Sequence, residues 1–179
     1  CEATRLKVQP ELLEAKLMGR WKCTGQPLSL HHQEPGPELG PKRNDFDYAP
    51  SWEHPDVLDD HYGSRCPVGA HIRRTNPRSA RVAGQRHSRR LLRRGMPATW
   101  PDAKGHLRKG LLGLFFGASL EHQFEFIQQQ WIHGDIAASG IRGEQDPIAG
   151  QRSQPAMVAI PGVGSVTLPP LVRTRGSLY

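Results

Sequence analysis

The stretch GLLGLFFGASLEHQFEFIQQQWI, Gly110 to Ile132, decides the fold class. Gly110 to Ala118 is a short continuous apolar run broken by glycines, which predicts a buried central strand. Ser119 then supplies an N-cap and Glu121 places an acid in the first turn. Leu120, Phe124, Ile127 and Trp131 recur at i, i+4, i+7 and i+11, an apolar stripe, while Gln123, Gln128, Gln129 and Gln130 give a polar face. Gly134 is the expected stop. A strand running directly into an amphipathic helix is a unit of an α+β fold, with an antiparallel sheet packed on helices.

Working outward, the flanks are loop-rich. The chain has 179 residues, of which 36% are apolar, with 19 Gly and 16 Pro. That composition is low in apolar residues and high in turn formers, though not poor enough to read as disordered. Pro10 to Met18, with Gly19 after it, predicts a short helix that starts on proline and stops on glycine. Residues 24–60 carry Pro, Gly, Asp and His without a period and read as a long loop. From 61 to 78 no period dominates. Residues 85–94 predict a short strand or turn ended by Gly95 and Pro97, and 98–109 another polar loop. Met157–Ile160 and Ser165–Leu168, joined by Pro161-Gly162-Val163-Gly164, predict a hairpin. Leu171 to Arg175 is a candidate last strand.

Several function classes are disfavoured at once. No apolar run approaches the roughly 20 residues of a membrane span, and no signal-peptide pattern occurs. The chain opens on Cys1, so a fragment or processed form is in view. Cys1, Cys23 and Cys66 form no CxxC and leave an odd count, against a disulfide framework or structural zinc. A reducing, cytoplasmic setting is the expectation. GxxxxGK[ST], GxGxxG and GxSxG are all absent, against nucleotide binding and hydrolase chemistry. His31-His32, His54, His61 and His87 fall into no HxH or HExxH spacing.

The net charge of +7 is concentrated. Between Asp60 and Asp102 there is no acid, yet ten arginines fall there, including Arg73, Arg74, Arg93 and Arg94. Arginine favours bidentate pairing with carboxylate or phosphate. Within this stretch lies GAHIRRTNPR, Gly69 to Arg78. Cations beside His71 favour its neutral form, which is the form a metal binds, and arginines nearby can pair with carboxylates of a bound cofactor. An iron porphyrin, with an axial position and two propionates, fits both features. A loop histidine with no such role is the plain alternative. Arg93 in a closed pocket stabilises negative charge on a bound oxygen species; on an exposed strand it is a solvated cation. Asp146 and Asp135 are candidates for the carboxylate behind a metal-bound histidine, and Asp146 before Pro147 equally suits a turn. Trp131 reads as core, whereas Trp52, Trp100 and Tyr62 lie in polar loops, where exposed rings could relay electrons to an oxidising site.

Taken together, GRWKCTGQPL (19–28), NDFDY (44–48), CPVGAHIRRTNPR (66–78), LLRRGMP (91–97), Gly110 to Ile132, DPIAG (146–150) and VRTRG (172–176) resemble the dye-decolorizing peroxidases, in their long-chain branch. The resemblance implies a ferredoxin-like α+β fold of the dimeric α+β barrel type, of which residues 1–179 are the carboxy-terminal, haem-ligating portion. It implies haem b (iron protoporphyrin IX) as cofactor, with His71 as axial iron ligand, Arg93 as distal arginine, Asp146 behind the ligand, and Arg73 and Arg74 as propionate contacts. The implied chemistry is reduction of hydrogen peroxide with oxidation of dyes or phenols. The expected partners are therefore peroxide and an organic reductant, without nucleic acid or membrane, and a homo-oligomer is open. Two departures stand out: the GxxDG motif of the family is absent, and Ala98-Thr99 stands where members often carry Tyr-Gly. The alternatives are a catalytically dead haem-binding remnant or a basic nucleic-acid-binding module.

Overall fold

Pro10 opens α1 (Pro10–Met18), and Gly19 ends it in the left-handed region at φ 94°, its N–H bonded to the Ala15 carbonyl at 2.6 Å. Glycine is required there twice over. The positive φ disfavours other residues, and a Cβ would lie 2.5 Å from Cγ1 of Ile72. The computed structural model describes residues 9–80, 89–134, 136 and 145–178.

Helix α1 is covered on two sides, which is why four of its nine residues, Leu13, Ala15, Lys16 and Leu17, are buried. Ala15 joins a core of Trp21, Leu28, Phe46, Tyr48, Cys66, Ala70, Ile72 and Ala80. Leu13 and Leu17 join a second cluster, against the hairpin β3 (Ala156–Ile160) and β4 (Gly164–Leu168). That hairpin matches its expected pattern. Val158, Ile160, Val166 and Leu168 alternate onto the buried face while Met157, Ser165 and Thr167 point outward. Lys16 is tolerated inside because its Nζ donates to the carbonyls of Arg65 (2.7 Å) and Ser64 (3.4 Å).

The long loop after α1 is present, with a 3₁₀ turn at Gly40–Asn44, yet it carries much of the first core. Trp21 donates from Nε1 to the His31 carbonyl at 2.7 Å. Phe46 and Tyr48 meet edge to face, 5.5 Å between centroids. A loop can enter a core only if its polar backbone is satisfied. Asp60 does much of this, accepting from the backbone N–H of Arg65 and Cys66 and from the Ser64 hydroxyl, each at 2.9 Å.

Between 61 and 78, where no period dominates, the structure forms α2 (His71–Thr75). It is too short to show a period.

Strands β1 (Leu92–Pro101) and β2 (Leu107–Phe116) pair antiparallel from Leu92↔Phe116 to Pro101↔Leu107. Here the sequence expectations need correction. β1 runs through Gly95 and Pro97 instead of ending at them, and 98–109 is strand and a tight turn. Proline is accommodated because a two-stranded ribbon has an open edge that needs no N–H. The turn is organised by Asp102, whose carboxylate accepts from the backbone N–H of Lys104 and His106 and from the Arg108 guanidinium. β2 is not a buried central strand. Among the described residues it pairs only with β1, and Leu107, Leu111, Leu112 and Phe116 are all exposed. An apolar run reports a preference for burial, but only a covering element satisfies it.

The helix after Ser119 is present but wound more widely than the stripe predicts. It is a π-helix in two segments, Leu120–Glu125 and Ile127–Ile132, joined at Phe126. The His133 N–H reaches the Gln128 carbonyl, five residues back, at 3.0 Å. Ser119 caps it as expected, accepting from the His122 N–H at 3.1 Å. Gln123 returns the bond through Oε1 to the Ser119 N–H, one position later than in an α-helical capping box. The wider turn breaks the α-periodic stripe. Ile127, Trp131 and Ile132 are buried with Ile136, whereas Leu120 is exposed, and the helix ends at Ile132, before Gly134. Leu171 to Arg175 forms no strand. The architecture is α+β, with two separate antiparallel hairpins among the described residues.

Candidate functional site

Helix α2 is fixed by its own side chains. Ile72 enters the first core, Arg73 and Arg74 are each 1% exposed, and Thr75 bonds back to the His71 carbonyl at 3.0 Å. Pro77 follows and prevents continuation. With those neighbours fixed, the five-residue helix holds His71 at its first position with its side chain 20% exposed.

Nδ1 of His71 lies 3.0 Å from Oδ2 of Asp146, which has no exposed side-chain surface. Asp146 occupies a tight turn. Its Oδ1 accepts from the backbone N–H of Ile148 (2.9 Å) and Ala149 (2.8 Å), and its own N–H donates to the Ile132 carbonyl at 2.8 Å, the end of the π-helix. Burial alone would raise the Asp146 carboxyl. The hydrogen bond and charge of His71, with the N–H groups of Ala149 and Ile148, prevail and hold it below the usual value. The carboxylate is therefore ionised and acts as an acceptor, so His71 donates its Nδ1–H. In the neutral imidazole, the form a metal binds, this places the proton on Nδ1, and Nε2 has no hydrogen bond among the described residues. A carboxylate behind an imidazole with its other nitrogen open is the usual second-sphere arrangement of a metal-binding histidine. Asp135, the other carboxylate of interest, lies outside the described residues.

The four arginines of GAHIRRTNPR and LLRRG that the sequence brings forward have different fates. Arg73 is committed to the protein. Its guanidinium pairs with Asp60 Oδ2 at 3.0 Å, donates to the carbonyls of Cys66, Asp60 and His61, and lies 4.5 Å over the Tyr48 ring. Arg74 donates to the Trp131 carbonyl at 2.8 Å. Arg93 and Arg94 lie on β1, exposed. Arg93 makes no hydrogen bond or ion pair among the described residues, and its charge helps depress the pKa of Arg20 after the larger effect of burial.

Two participants escape the sequence reading. Arg78 adopts φ 54°, and its guanidinium lies 3.8 Å over the Phe46 ring, donating to the Asn44 and Phe46 carbonyls. Arg20 lies 5.3 Å over the same ring and bonds Asn44 Oδ1 at 2.8 Å. Burial and then neighbouring cations lower Arg20, with Arg78, Arg93 and Arg43 among them. Arg20, Arg78 and Arg93 thus form one cationic region outside the buried pair at 73 and 74. The only sequence signal was the density of arginine, which says nothing of which ones converge. Asp60, the last acid before that stretch, was the readable hint for Arg73.

Among the described residues no group of three or more His, Cys, Asp or Glu is placed to hold a metal ion. Trp52 and Tyr62 are exposed, at 94% and 89%. No described helix is long and apolar enough to cross a membrane.

The chain is 30% identical to a dye-decolorizing peroxidase of Exidia glandulosa, over 97% of this chain and 36% of that protein. It is 31% identical to peroxidase 2 of Mycetinis scorodonius, over 80% of this chain and 30% of that one. It is 33% identical to a multifunctional dye peroxidase of an Amycolatopsis species, over 76% and 30%. The chain spans about a third of the length of these relatives. No family profile matches it. No solved structure matches it either.

Proposed function

Because this chain belongs to the dye-decolorizing peroxidase family, we propose that it carries the haem-ligating site of a peroxidase that reduces hydrogen peroxide and oxidises dyes or phenols. The observation that carries this is the His71–Asp146 pair: a buried, ionised carboxylate holds Nδ1–H and leaves Nε2 for iron. The residues present fit a haem, because a porphyrin supplies four ligands itself and asks the protein for one imidazole. Haem b, when bound, supplies the redox centre for peroxide.

The chain's own residues would do the following. His71 binds iron through Nε2. Asp146 orients the ring and, by accepting Nδ1–H, raises its basicity. Arg93, exposed on β1, would supply a permanent cation for negative charge on peroxide once that face of the chain is covered. Arg73 and Arg74 stay the propionate candidates of this reading, although their guanidinium groups already bond Asp60 and protein carbonyls; Arg20 and Arg78 are engaged with carbonyls in the same way. The ferredoxin-like sheet of the family is part of the same proposal, with the β1–β2 hairpin as a component of it.

Hemin reconstitution tests the reading. The wild-type chain is expected to give a Soret band and ligand-field features of an axial imidazole, and His71→Ala is expected to lose them. Identical spectra would remove His71 from the role. A peroxide-dependent dye assay on the loaded wild type separates an enzyme from a haem-binding remnant without turnover.

A further inference from the structure

We infer that Arg152 is a positioning residue for the His71–Asp146 pair, acting through the turn that carries Asp146. The inference rests on the axial role proposed for His71, and names a residue for which neither the resemblance nor the site's carboxylate provides.

The turn DPIAG has an unusual load. Asp146 must be fully buried and ionised, and its Oδ2 must stay within 3.0 Å of an imidazole on a different element. Two backbone N–H groups fix Oδ1, but they belong to the same turn and move with it. Something outside the turn has to set its orientation. The Asp146 N–H bond to Ile132 is one such tie. The packing of Ala149 against the cluster of Ile127, Trp131, Ile132 and Ile136 is a second, and Arg152 is a third. Its Nη2 donates to the Pro147 carbonyl at 2.6 Å and to the Asp146 carbonyl at 3.3 Å, bracketing the peptide that follows the carboxylate. The Gly150 N–H reaches the same Asp146 carbonyl at 3.1 Å, and a Cβ at Gly150 would lie 2.6 Å from that oxygen. The chain therefore comes too close for any side chain at 150, and this close return is what brings Arg152 under the turn.

Without the guanidinium, two carbonyls lose a charge-assisted donor, and the turn, still tied by the Gly150 N–H at the Asp146 carbonyl, gains rotational freedom. Rotation there carries the carboxylate with it and lengthens its bond to Nδ1. The effect on His71 is indirect, so Arg152 acts on the ligand's basicity and orientation, not on the reacting atoms.

The test compares Arg152→Met and Arg152→Lys with wild type, in the full chain, with two readouts. In the chain without haem, exchange of the His71 Nδ1 proton with solvent is followed by NMR. R152M is expected to speed it about tenfold, the factor that loss of one ordinary buried hydrogen bond implies, and R152K to restore most of the protection. In the hemin-loaded chain, the iron midpoint potential is expected to rise in R152M and to return toward wild type in R152K, because a weaker Asp146 bond makes the imidazole a poorer donor to oxidised iron. Unchanged exchange and potential in a folded R152M, judged by circular dichroism, overturn the inference. If R152M does not fold, Arg152→Leu, which also lacks a donor, replaces it, and protection equal to wild type in R152L overturns it equally. The exchange readout needs no haem, so failure of the axial assignment, seen as haem spectra unaffected by His71→Ala, remains distinguishable from failure at Arg152.

Discussion

Arg73 and Asp60 meet at 3.0 Å with side chains each 1% exposed, and Asp60 also accepts from the Ser64 hydroxyl and two backbone N–H groups. Deleting one partner of such a pair leaves the other charge buried and uncompensated, at a cost of about 3–5 kcal/mol. Asp60→Asn is therefore expected to lower the urea-unfolding free energy by that amount. Glu14→Gln, which breaks the exposed pair with Lys22, is expected to change it by less than about 1 kcal/mol. Equal effects would show that Asp60 is not the organiser of the loop. Cys66 offers a pH test at the same scale. Burial pushes its thiol from 9.0 up to about 12. The folded state then keeps its proton while the unfolded chain loses it, so stability from this group is intact below pH 9 and falls between 9 and 12. The slope approaches about 1.4 kcal/mol per pH unit. Denaturant midpoints should fall more steeply with pH in wild type than in Cys66→Ala, and parallel curves would refute the assignment.

At the scale of elements, the π-helix shows how local chemistry and periodicity come apart. Ser119 accepts the His122 N–H at 3.1 Å, and Gln123 bonds both the Ser119 N–H and the Arg90 carbonyl, tying the helix start to the chain entering β1. Ser119→Ala is expected to cost about 0.5–2 kcal/mol in thermal or chemical unfolding; no loss would mean that the Gln123 bond alone holds the start. Ser119 as a cap was legible, as were α1, its glycine stop and the β3–β4 hairpin, because each depends on a few adjacent residues. His71 and Asp146 were legible as candidates, and their 3.0 Å meeting was not, since 75 residues separate them. Helix α2 was too short for any period, and the widened winding of 120–132 is invisible to a stripe counted at 3.6. The fates of the arginines were illegible for a related reason. Arg73, Arg74 and Arg93 look alike in sequence, and only the position of Asp60, the Trp131 carbonyl and an open strand separates them.

Across the whole molecule, burial is distributed unevenly, and this sets the order in which parts open. Helix α1 sits between two clusters, giving Ala15 to one and Leu13 and Leu17 to the other. The β1–β2 ribbon has ten-residue strands in full register, yet Leu107, Leu111, Leu112, Leu114 and Phe116 on it are exposed. Backbone pairing without apolar cover gives little local stability. Amide hydrogen exchange should therefore be fast in 92–116 and slow in α1 and 156–168, despite the longer strands of the first hairpin. Leu17→Ala should cost about 2–5 kcal/mol and speed exchange in α1 and β3–β4 together, because its side chain is the seam between them. The same substitution at Leu111, 81% exposed, should leave both the unfolding free energy and that pattern nearly unchanged. If 92–116 proved as protected as α1 in the isolated chain, the ribbon would have to be covered in solution, by self-association that its concentration dependence would reveal.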